Sequence, residues 1–385
     1  MPNAHQTTAR RRVGVAGAGQ LARMMGEAAG ALDLELTVLA TSFEDSAVST
    51  CDHVLVGSAT DEEALRSLAE EVEVITFDHE LVDLEVLGAL ERSGAVLRPS
   101  PSALRYSVDK AFQRRAFREH GLPVPRFLAV ESSRDERLSS FLDSLVTAPV
   151  IKASRGGYDG RGVVIASSRE EALAAIDEMA VRGEVVVEEQ MILRGEVAQL
   201  VARATSGELR AYPVVTTVQR EGMCAEVHYP SELDETTLAD AARLSVEIAR
   251  LVKGVGIMAV EYFVTDAGLV INEIALRPHN SGHWTIEGTS TSQFTQHLRA
   301  VSGLELGDVD VLSPAAVMVN VVGAEQPGSL EAARAVPGTF VHDYGKAWRP
   351  GRKLGHVTAL DDEPMSAHVR AWSSARAYGT VTQEA

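Results

Sequence analysis

The most informative stretch of the sequence is Lys152-Ala153-Ser154-Arg155-Gly156-Gly157-Tyr158-Asp159-Gly160-Arg161-Gly162, which lies between two short apolar runs. It combines four glycines with the cations Lys152, Arg155 and Arg161. Glycine lets a backbone approach a ligand closely, and its free N–H groups can surround anionic oxygens. The stretch is not a Walker loop, because no Gly-Lys-Ser/Thr triplet opens a helix. We interpret it as a phosphate-binding loop; the alternative is a solvated hairpin tip that is basic by chance.

The rest of the chain makes such a basic loop unusual. The 385 residues include 36 Lys and Arg against 54 Asp and Glu, a formal net charge of −18. This balance excludes a general nucleic-acid-binding protein, which needs a basic face to displace counterions. A second group of cations consists of Lys346, Arg349, Arg352 and Lys353. It is either a solvated basic surface or a second phosphate site.

Apolar runs alternate with helical stretches in the first hundred residues, which predicts a parallel doubly wound sheet. The predicted strands are 13–16, 36–40, 54–56, 72–77 and 95–97, and the predicted helices are 20–31 and 63–70. Prolines at 99 and 101 indicate a break, followed by a helix over 108–120. The remaining predicted helices are 169–180 and 236–251, and the remaining strands are 127–130, 150–152, 163–166, 185–188, 258–264, 269–274, 315–322 and 357–358.

A glycine turn follows the first predicted strand. Gly17-Ala18-Gly19-Gln20-Leu21-Ala22 fits the pattern of dinucleotide-binding folds, which also need an acidic residue at the end of the second strand to bind ribose. Here the first carboxylate after that strand is Glu44. We therefore do not expect NAD. We expect instead that backbone N–H groups at this helix start bind a phosphate or another polar ligand.

Two carboxylates lie on a predicted hairpin whose turn is Thr265-Asp266-Ala267-Gly268. Pairing the strands about that turn places Glu261 opposite Asn272, one step from Glu273. Both carboxylates lie in apolar runs, where an unpaired charge is costly. Oxygen ligands favour Mg²⁺ or Mn²⁺, so we predict a metal site that also uses nucleotide phosphates. The alternative is a pair of edge carboxylates in water.

Two further stretches carry candidate chemistry. The strand before Glu188-Glu189-Gln190-Met191 could lead into an adenine slot, with Glu196 on ribose hydroxyls, or it could be a strand end with solvated acids. Arg277-Pro278-His279-Asn280-Ser281-Gly282-His283-Trp284 clusters Arg, His and Asn, which suggests a reaction centre. A mononuclear zinc site on His279 and His283 is the rival interpretation. The two cysteines have no metal-type spacing, and we expect both to be buried.

Together these motifs resemble the ATP-grasp superfamily and, within it, the 5-(carboxyamino)imidazole ribonucleotide synthetases of purine biosynthesis. The resemblance extends from about residue 12 to 371 and also includes Tyr344-Gly345-Lys346 and Arg352-Lys353-Leu354-Gly355-His356. It implies an α/β fold with a Rossmann-like pre-ATP-grasp domain over 10–103. It further implies an ATP-grasp domain over 104–310, with a lid at about 124–203. The last implied domain is small, β-rich and barrel-like, over 311–385.

The resemblance also implies roles for individual residues. ATP would contact Lys110, Lys152, Gly157, Tyr158, Asp159, Gly160, Arg161, Gly162, Val163, Glu188, Glu189, Gln190, Met191, Glu196, Gln219, Asn272 and Glu273. Mg²⁺, or Mn²⁺ in its place, would be held by Glu261 and Glu273. The ribonucleotide would contact Gln20, Glu80, Tyr158, Arg161, Lys346, Arg352 and Lys353, and the catalytic residues would be Asp159, Arg277, His279 and Asn280. Ala18, Gln219 and the stretch 78–82 depart from the usual family pattern.

The implied reaction is the carboxylation of aminoimidazole ribonucleotide by ATP and bicarbonate through carboxyphosphate. The alternatives are another ATP-grasp ligase, such as a biotin carboxylase or a formate-dependent glycinamide ribonucleotide transformylase. A nucleotide-sensing or NAD-linked protein without ligase chemistry is a third. We expect a cytoplasmic homodimer with no nucleic-acid or membrane partner and a possible link to the mutase that acts next in the pathway.

Overall fold

A parallel four-stranded sheet forms the N-terminal part of the chain, in the order β3-β2-β1-β4. We describe residues 10–157, 162–220 and 222–380 of a computed structural model. The strands are β1 (Arg11–Ala16), β2 (Leu34–Ala40), β3 (His53–Val56) and β4 (Val74–Phe77). The helices of this part are α1 (Gln20–Ala29), α2 (Glu62–Glu71) and α3 (Leu84–Arg92), and a 3₁₀ turn covers Gly30–Leu32. Residue 97 joins the sheet through a single bridge to Ile75 and not through a full strand.

The start of α1 is already occupied by a side chain of the protein. Asp78, just beyond β4, accepts hydrogen bonds from Gly19 N at 2.7 Å and Ala22 N at 2.8 Å. A Cβ on Gly19 would lie 2.4 Å from the Asp78 carboxylate, so any larger residue there would displace this carboxylate. A buried carboxylate therefore already takes Gly19 N and Ala22 N, so these two groups are not available to the phosphate or other polar ligand that we expect at this helix start.

Two helices follow where the sequence pattern predicts one. Pro101 begins α4 (Pro101–Val108), since proline is tolerated in the first helical turn. The next helix, α5 (Lys110–Glu119), begins two residues later than predicted because the Asp109 carboxylate caps it by accepting from Phe112 N at 3.0 Å. This cap places Lys110 at the first turn of α5.

An antiparallel four-stranded sheet, which we call the lid sheet, has the order β5-β8-β6-β7. Its strands are β5 (Phe127–Val130), β6 (Pro149–Ala153), β7 (Val163–Ile165) and β8 (Val185–Glu189). Two helices pack on it, α6 (Glu136–Asp143) and α7 (Arg169–Ala180). The sequence predicts only α7; α6 is a short helix that buries Leu138, with Phe141 and Leu142 partly buried beside it.

A nine-stranded sheet carries the rest of the chain, in the order β14-β13-β9-β11-β12-β15-β17-β16, with β10 paired to β9. Its strands are β9 (Gly195–Arg203), β10 (Leu209–Ala211), β11 (Val215–Arg220), β12 (Met223–Tyr229), β13 (Gly256–Thr265), β14 (Gly268–Ala275), β15 (Ala315–Val322), β16 (Thr339–Asp343) and β17 (Lys353–Asp361). The helices are α8 (Glu235–Val252), α9 (Thr285–Gly288), α10 (Gln293–Ser302), α11 (Leu330–Arg334) and α12 (Pro364–Tyr378), and a 3₁₀ turn covers Asn280–Gly282.

The buried core joins these layers. One apolar cluster packs α8 and the β13–β14 hairpin against the N-terminal sheet, and another packs α1 and α10 on its opposite face. A third lies between α12 and the strands β15 and β17. Within the described residues, no helix is long and apolar enough to cross a membrane.

The β13–β14 hairpin contains a bulge that corrects the predicted register. Glu261 pairs with Glu273, while Tyr262 pairs with Ile271, so Asn272 is the extra residue on its strand. The prediction that Glu261 lies opposite Asn272 is therefore wrong. The bulge brings the two carboxylates directly across from each other.

We expect Asp78→Ala to destabilise the protein by about 2 kcal/mol, because two buried N–H groups at the start of α1 lose their acceptor. Asp61→Ala is the matched control, since Asp61 caps α2 through Glu63 N and Ala64 N at an exposed position. The free energy of unfolding in urea measures both. An equal loss in the two variants would contradict the special role of Asp78.

Candidate active site

A buried ion cluster connects the lid sheet to α5. Glu188 on β8 receives Lys152 Nζ at 2.7 Å and Arg114 Nε at 2.5 Å. Arg114 also donates to Gln113 Oε1 and to the carbonyl oxygen of Asn272, both at 2.6 Å. Burial alone would raise the pKa of Glu188, but the two cations hold it well below its usual range. Glu188 is thus a charged anchor for Lys152.

Arg114 is missing from the residues predicted from sequence. Lys110 and Arg114 are four residues apart on α5, so they share one helix face. Only 1% of Arg114 is exposed, and a guanidinium that deep requires several acceptors. The spacing from Lys110 is the signal that could have identified it.

The residues before the glycine loop form a second polar cluster. Ser154 accepts from Lys110 N through its carbonyl at 2.9 Å, and its hydroxyl donates to Asp109 Oδ1 at 2.8 Å. Arg155 pairs with Asp109 Oδ2 at 2.9 Å. Although burial opposes it, the pKa of Asp109 is lowered by the Phe112 N–H, Arg155 and Ser154. These contacts fix the start of the loop against the start of α5.

Part of the glycine loop lies outside the described residues, including Tyr158, Asp159, Gly160 and Arg161. The described residues on either side are Gly157 and Gly162. Gly162 has a φ of +76°, and its carbonyl accepts from Ala153 N at 2.9 Å. Val163 opens β7 directly after it. The loop therefore connects two paired strands, β6 and β7.

The carboxylate pair on the hairpin is asymmetric. Glu273 pairs with Lys110 Nζ at 3.3 Å, which lowers its pKa although burial opposes the shift. Glu261 is buried beside Glu273 and Glu196, and this burial and the like charges raise its pKa well above the usual range. A divalent cation would relieve this repulsion. The oxygen-only donor set therefore fits Mg²⁺ or Mn²⁺.

The stretch after β14 places His279 beside this pair. His279 Nε2 lies 3.7 Å from Glu261 Oε1, and its Nδ1 lies 2.9 Å from Ser281 Oγ. Gln293, the first residue of α10, fixes the backbone of His279 by accepting from its N–H and donating to its carbonyl oxygen, both at 2.8 Å. Asn280 Oδ1 is buried and has no hydrogen-bond partner among the described residues, so it is free to meet a substrate donor.

The rival zinc site on His279 and His283 has no geometric support. His283 is fully buried, with Nδ1 facing Gln293 Nε2 at 2.9 Å and its ring stacked between Phe294 and His356. It belongs to no group of metal-ligating side chains among the described residues. Its pKa is lowered well below the usual range by burial, so we assign it to the core.

The predicted ribonucleotide contacts lie in two places, one beside Arg277 and the other in the C-terminal basic segment. Glu80 accepts from Leu276 N at 2.6 Å and lies 3.8 Å from Arg277 Nε. Lys346 Nζ donates to Gln20 Oε1 at 2.5 Å, joining the C-terminal part of the chain to α1. Arg352 donates to the Ala347 carbonyl oxygen at 3.1 Å.

Lys353 begins β17 and pairs with Val322. Charge from Lys353 acts on the buried Cys224 and His283. Lys353 therefore lies near the core around His283.

The predicted adenine segment runs from the end of the lid sheet toward β9. Glu189 pairs with Arg126 at 3.5 Å, and the Gln190 backbone donates to Ala148 and accepts from Thr147. Met191 follows at a partly exposed position. These contacts make the segment a fixed link between the two sheets.

Glu196 and Gln219 lie beyond that link, on neighbouring strands. Burial raises the pKa of Glu196, which lies on β9 next to Glu261 on β13. Gln219 lies on β11 opposite Cys224, at a bulge in the β11–β12 pair. The structure thus brings Glu196 to the carboxylate pair.

Comparisons with known proteins agree with this geometry. Family models match as a ribonucleotide synthetase preATP-grasp domain over residues 10–107, an ATP-grasp domain over 115–294 and a phosphoribosylaminoimidazole carboxylase C-terminal domain over 316–370. The N5-carboxyaminoimidazole ribonucleotide synthase of Mycobacterium tuberculosis is 44% identical over 369 residues, covering 93% of this chain and 86% of that protein. The Synechocystis enzyme of the same name is 39% identical over 94% of this chain and 95% of its own length.

Solved structures give the same result. The N5-carboxyaminoimidazole ribonucleotide synthetase of Thermus thermophilus superposes with a TM-score of 0.87 at 33% identity, covering 97% of this chain and all of that chain. The Aspergillus clavatus synthase, solved with ADP and 5-aminoimidazole ribonucleotide, gives 0.86 at 29% identity over 96% and 99%.

A lid sheet, a glycine loop and a carboxylate hairpin arranged in this way define an ATP-grasp protein, and the matching domain model agrees. The flanking domains identify the kind of ATP-grasp protein. The N-terminal domain matches a ribonucleotide synthetase model, and the C-terminal domain matches a phosphoribosylaminoimidazole carboxylase model. The chain belongs to the N5-carboxyaminoimidazole ribonucleotide synthase family. The predicted fold and family are therefore confirmed.

The raised pKa of Glu261 predicts a pH dependence in the metal-free protein. The folded state holds a proton that the unfolded state releases at lower pH, so stability falls as pH rises from the ordinary carboxylate range toward the raised pKa. Glu261→Gln should reduce this fall, by about 1.4 kcal/mol for each unit by which the pKa is raised. Melting temperatures from pH 5 to pH 8 measure it, with the exposed Glu63→Gln as control. Equal slopes in wild type and Glu261→Gln would contradict the assignment.

Proposed function

We propose that this chain carboxylates 5-aminoimidazole ribonucleotide with bicarbonate and ATP through carboxyphosphate, giving 5-(carboxyamino)imidazole ribonucleotide, ADP and phosphate. The ATP-dependent carboxylation of this ribonucleotide in purine biosynthesis is the activity of its family. The observation that carries the proposal is the convergence of Lys110, Glu273, Glu261 and His279 through successive contacts. The groups that we assign to phosphate binding, metal binding and proton transfer would thereby meet at one place.

ATP would lie between the lid sheet and the nine-stranded sheet. Lys110 contacts Glu273, and the charge of Lys152 also acts on that carboxylate, so we assign the phosphates to these two lysines. The loop from Gly157 to Val163 would cover them with backbone N–H groups. We assign adenine to the segment Glu188–Met191, ribose to Glu196, and further nucleotide contacts to Gln219 and Asn272.

The oxygen donors support a divalent metal site on Glu261 and Glu273. Mg²⁺, or Mn²⁺, bound there would neutralise the charge on the transferring phosphoryl group. Lys110 Nζ lies 3.3 Å from Glu273 Oε2, so this cation could contact both the proposed metal-binding carboxylate and a nucleotide phosphate. Lys152 is held by Glu188 and contributes a fixed positive charge to the same reaction.

Bicarbonate and the ribonucleotide would occupy the side of the site formed by the 277–284 stretch. Bicarbonate is a poor electrophile and is activated by attack on the γ-phosphate, after which Arg277 would hold the carboxyphosphate. The exocyclic amine of the ribonucleotide then attacks the carboxyl carbon, or the CO₂ that carboxyphosphate releases. Asn280 would orient the reactants, and Asp159 and His279 are the groups proposed to move protons.

Gln20, Glu80, Tyr158, Arg161, Lys346, Arg352 and Lys353 would bind the ribonucleotide. The Gln20–Lys346 hydrogen bond supports a substrate site that spans the N- and C-terminal parts. We also propose domains over 10–103, 104–310 and 311–385, a cytoplasmic homodimer, and a functional link to the mutase that acts next. The domain bounds concern this chain alone, whereas the homodimer requires a measurement of assembly and the link to the mutase a measurement of coupled turnover.

The direct test is ADP release with each candidate acceptor, with bicarbonate present or removed. We expect ADP formation that requires both aminoimidazole ribonucleotide and bicarbonate, and its loss in Glu273→Ala, with secondary structure retained by circular dichroism. Exposed Glu63→Ala should leave the rate unchanged. Turnover with biotin, or with formate and glycinamide ribonucleotide in place of aminoimidazole ribonucleotide, would overturn the proposal.

Lys346→Ala separates the ribonucleotide site from the ATP site. Loss of a cation that also holds Gln20 should raise the KM for the ribonucleotide by about tenfold to a hundredfold, as expected for one charged contact. The KM for ATP should change little. Arg349→Ala is the matched control in the same basic run. A defect confined to ATP would show that Lys346 is misplaced.

A further inference from the structure

Strand β12 and helix α12 bring together a group of side chains that the proposed reaction does not use. Glu226, His228 and His368 each present one ligand atom, and these atoms all lie within 4.8 Å of one another. Within the described part of the chain, no other group of at least three His, Cys, Asp or Glu side chains has this spacing. We propose that the three side chains form a second metal site, for Zn²⁺ or a similar borderline transition-metal ion.

The strand register places this group away from the carboxylate hairpin. Val319 and Val317 on β15 pair with Glu226 and His228, and both valines pack against α12. Paired residues on neighbouring strands point to the same face of a sheet, so Glu226 and His228 also face α12. The β11–β12 pairing skips Ala225, and Cys224 packs with Val227 and Trp284 on the opposite face. The bulge therefore turns Glu226 toward the helix.

The distances suit a tetrahedral ion. Glu226 Oε2 lies 3.1 Å from His228 Nε2 and 3.3 Å from His368 Nδ1. Ligand atoms about 2.1 Å from a tetrahedral Zn²⁺ are about 3.4 Å apart. The ligand nitrogens of the two imidazoles lie within 4.8 Å of each other, and their rings stack with centroids 5.5 Å apart. Two histidines and one carboxylate form a common zinc ligand set.

The surroundings hold the carboxylate in a binding orientation. Arg220 Nη2 contacts Glu226 Oε1 at 2.9 Å, and the Trp372 side chain hydrogen-bonds to the same carboxylate. Such outer contacts fix a metal-binding carboxylate and leave the other oxygen directed at the ion. The Arg220 charge weakens attraction for a cation, so we expect micromolar rather than nanomolar affinity.

The site is also accessible. The side chains of His228 and His368 are 27% and 36% exposed, while Glu226 is 4% exposed. An ion could enter from the histidine side and keep one water as its fourth ligand. Bound there, it would tie α12 to β12 and thereby stabilise the C-terminal part of the chain.

The test is titration of the untagged full-length chain with Zn²⁺ in excess Mg²⁺, with Co²⁺ as a spectroscopic probe. We expect one Zn²⁺ per chain, a visible absorption typical of tetrahedral Co²⁺, and a melting temperature raised by Zn²⁺. His228→Ala and His368→Ala should each weaken binding at least tenfold and remove the Co²⁺ signal. His53→Ala is the matched control, because His53 pairs with Glu35 at 2.7 Å without a third ligand.

Two further measurements separate this site from the carboxylate hairpin and from misfolding. Zinc binding should persist in Glu273→Gln, so its loss there would assign the ion to the hairpin and overturn the proposal. Melting in EDTA should be similar for wild type and His368→Ala, whose side chain is partly exposed. Unchanged zinc affinity in both histidine variants, or no binding to wild type, would show that the group is only an ion pair between a carboxylate and two imidazoles.

Discussion

The buried carboxylate of Glu188 is the interaction on which the site depends. It lies on the lid sheet, yet its partners belong to different elements: Lys152 on β6 and Arg114 on α5. Arg114 then reaches the carbonyl oxygen of Asn272 on the carboxylate hairpin. Removing one partner of a buried ion pair leaves an uncompensated charge, at a cost of about 3–5 kcal/mol. One carboxylate therefore holds the lid sheet, the helix and the hairpin in register.

Bulges have a similarly large effect on the chemistry. At the hairpin, the extra residue Asn272 moves Glu273 directly opposite Glu261 and leaves the Asn272 carbonyl oxygen facing Arg114. At β12, the pairing with β11 skips Ala225, so the side chains of Cys224 and Glu226 lie on opposite faces of the sheet. In both places a single inserted residue changes which side chains meet. With regular alternation along the strands, Glu273 would not lie opposite Glu261, and Glu226 would lie on the same face of the sheet as Cys224.

Much of the fold follows from the sequence because most elements bury a periodic apolar face. The helix over 169–180 and the strand over 315–322 are observed with the predicted bounds. The sequence pattern does not predict elements whose buried residues are polar or small. Helix α10 buries the polar Gln293, Gln296 and His297 beside its apolar residues, and α12 buries mainly alanine and serine, so that its hydrophobic period is weak. The contacts of the site are less predictable, since Asp78, Arg114 and Gln293 act through partners distant in sequence.

The continuous nine-stranded sheet has a consequence for dividing the protein. Strand β15 pairs with β12 from Glu226 to Tyr229, so backbone hydrogen bonds cross from the central part of the chain into the C-terminal part. A fragment that starts near residue 311 would carry β15 with one open edge, and the remainder would expose β12 in the same way. Such edges pair readily with other chains. Recombination between relatives is therefore best made at the connection to the lid sheet, where no strand pairing is cut.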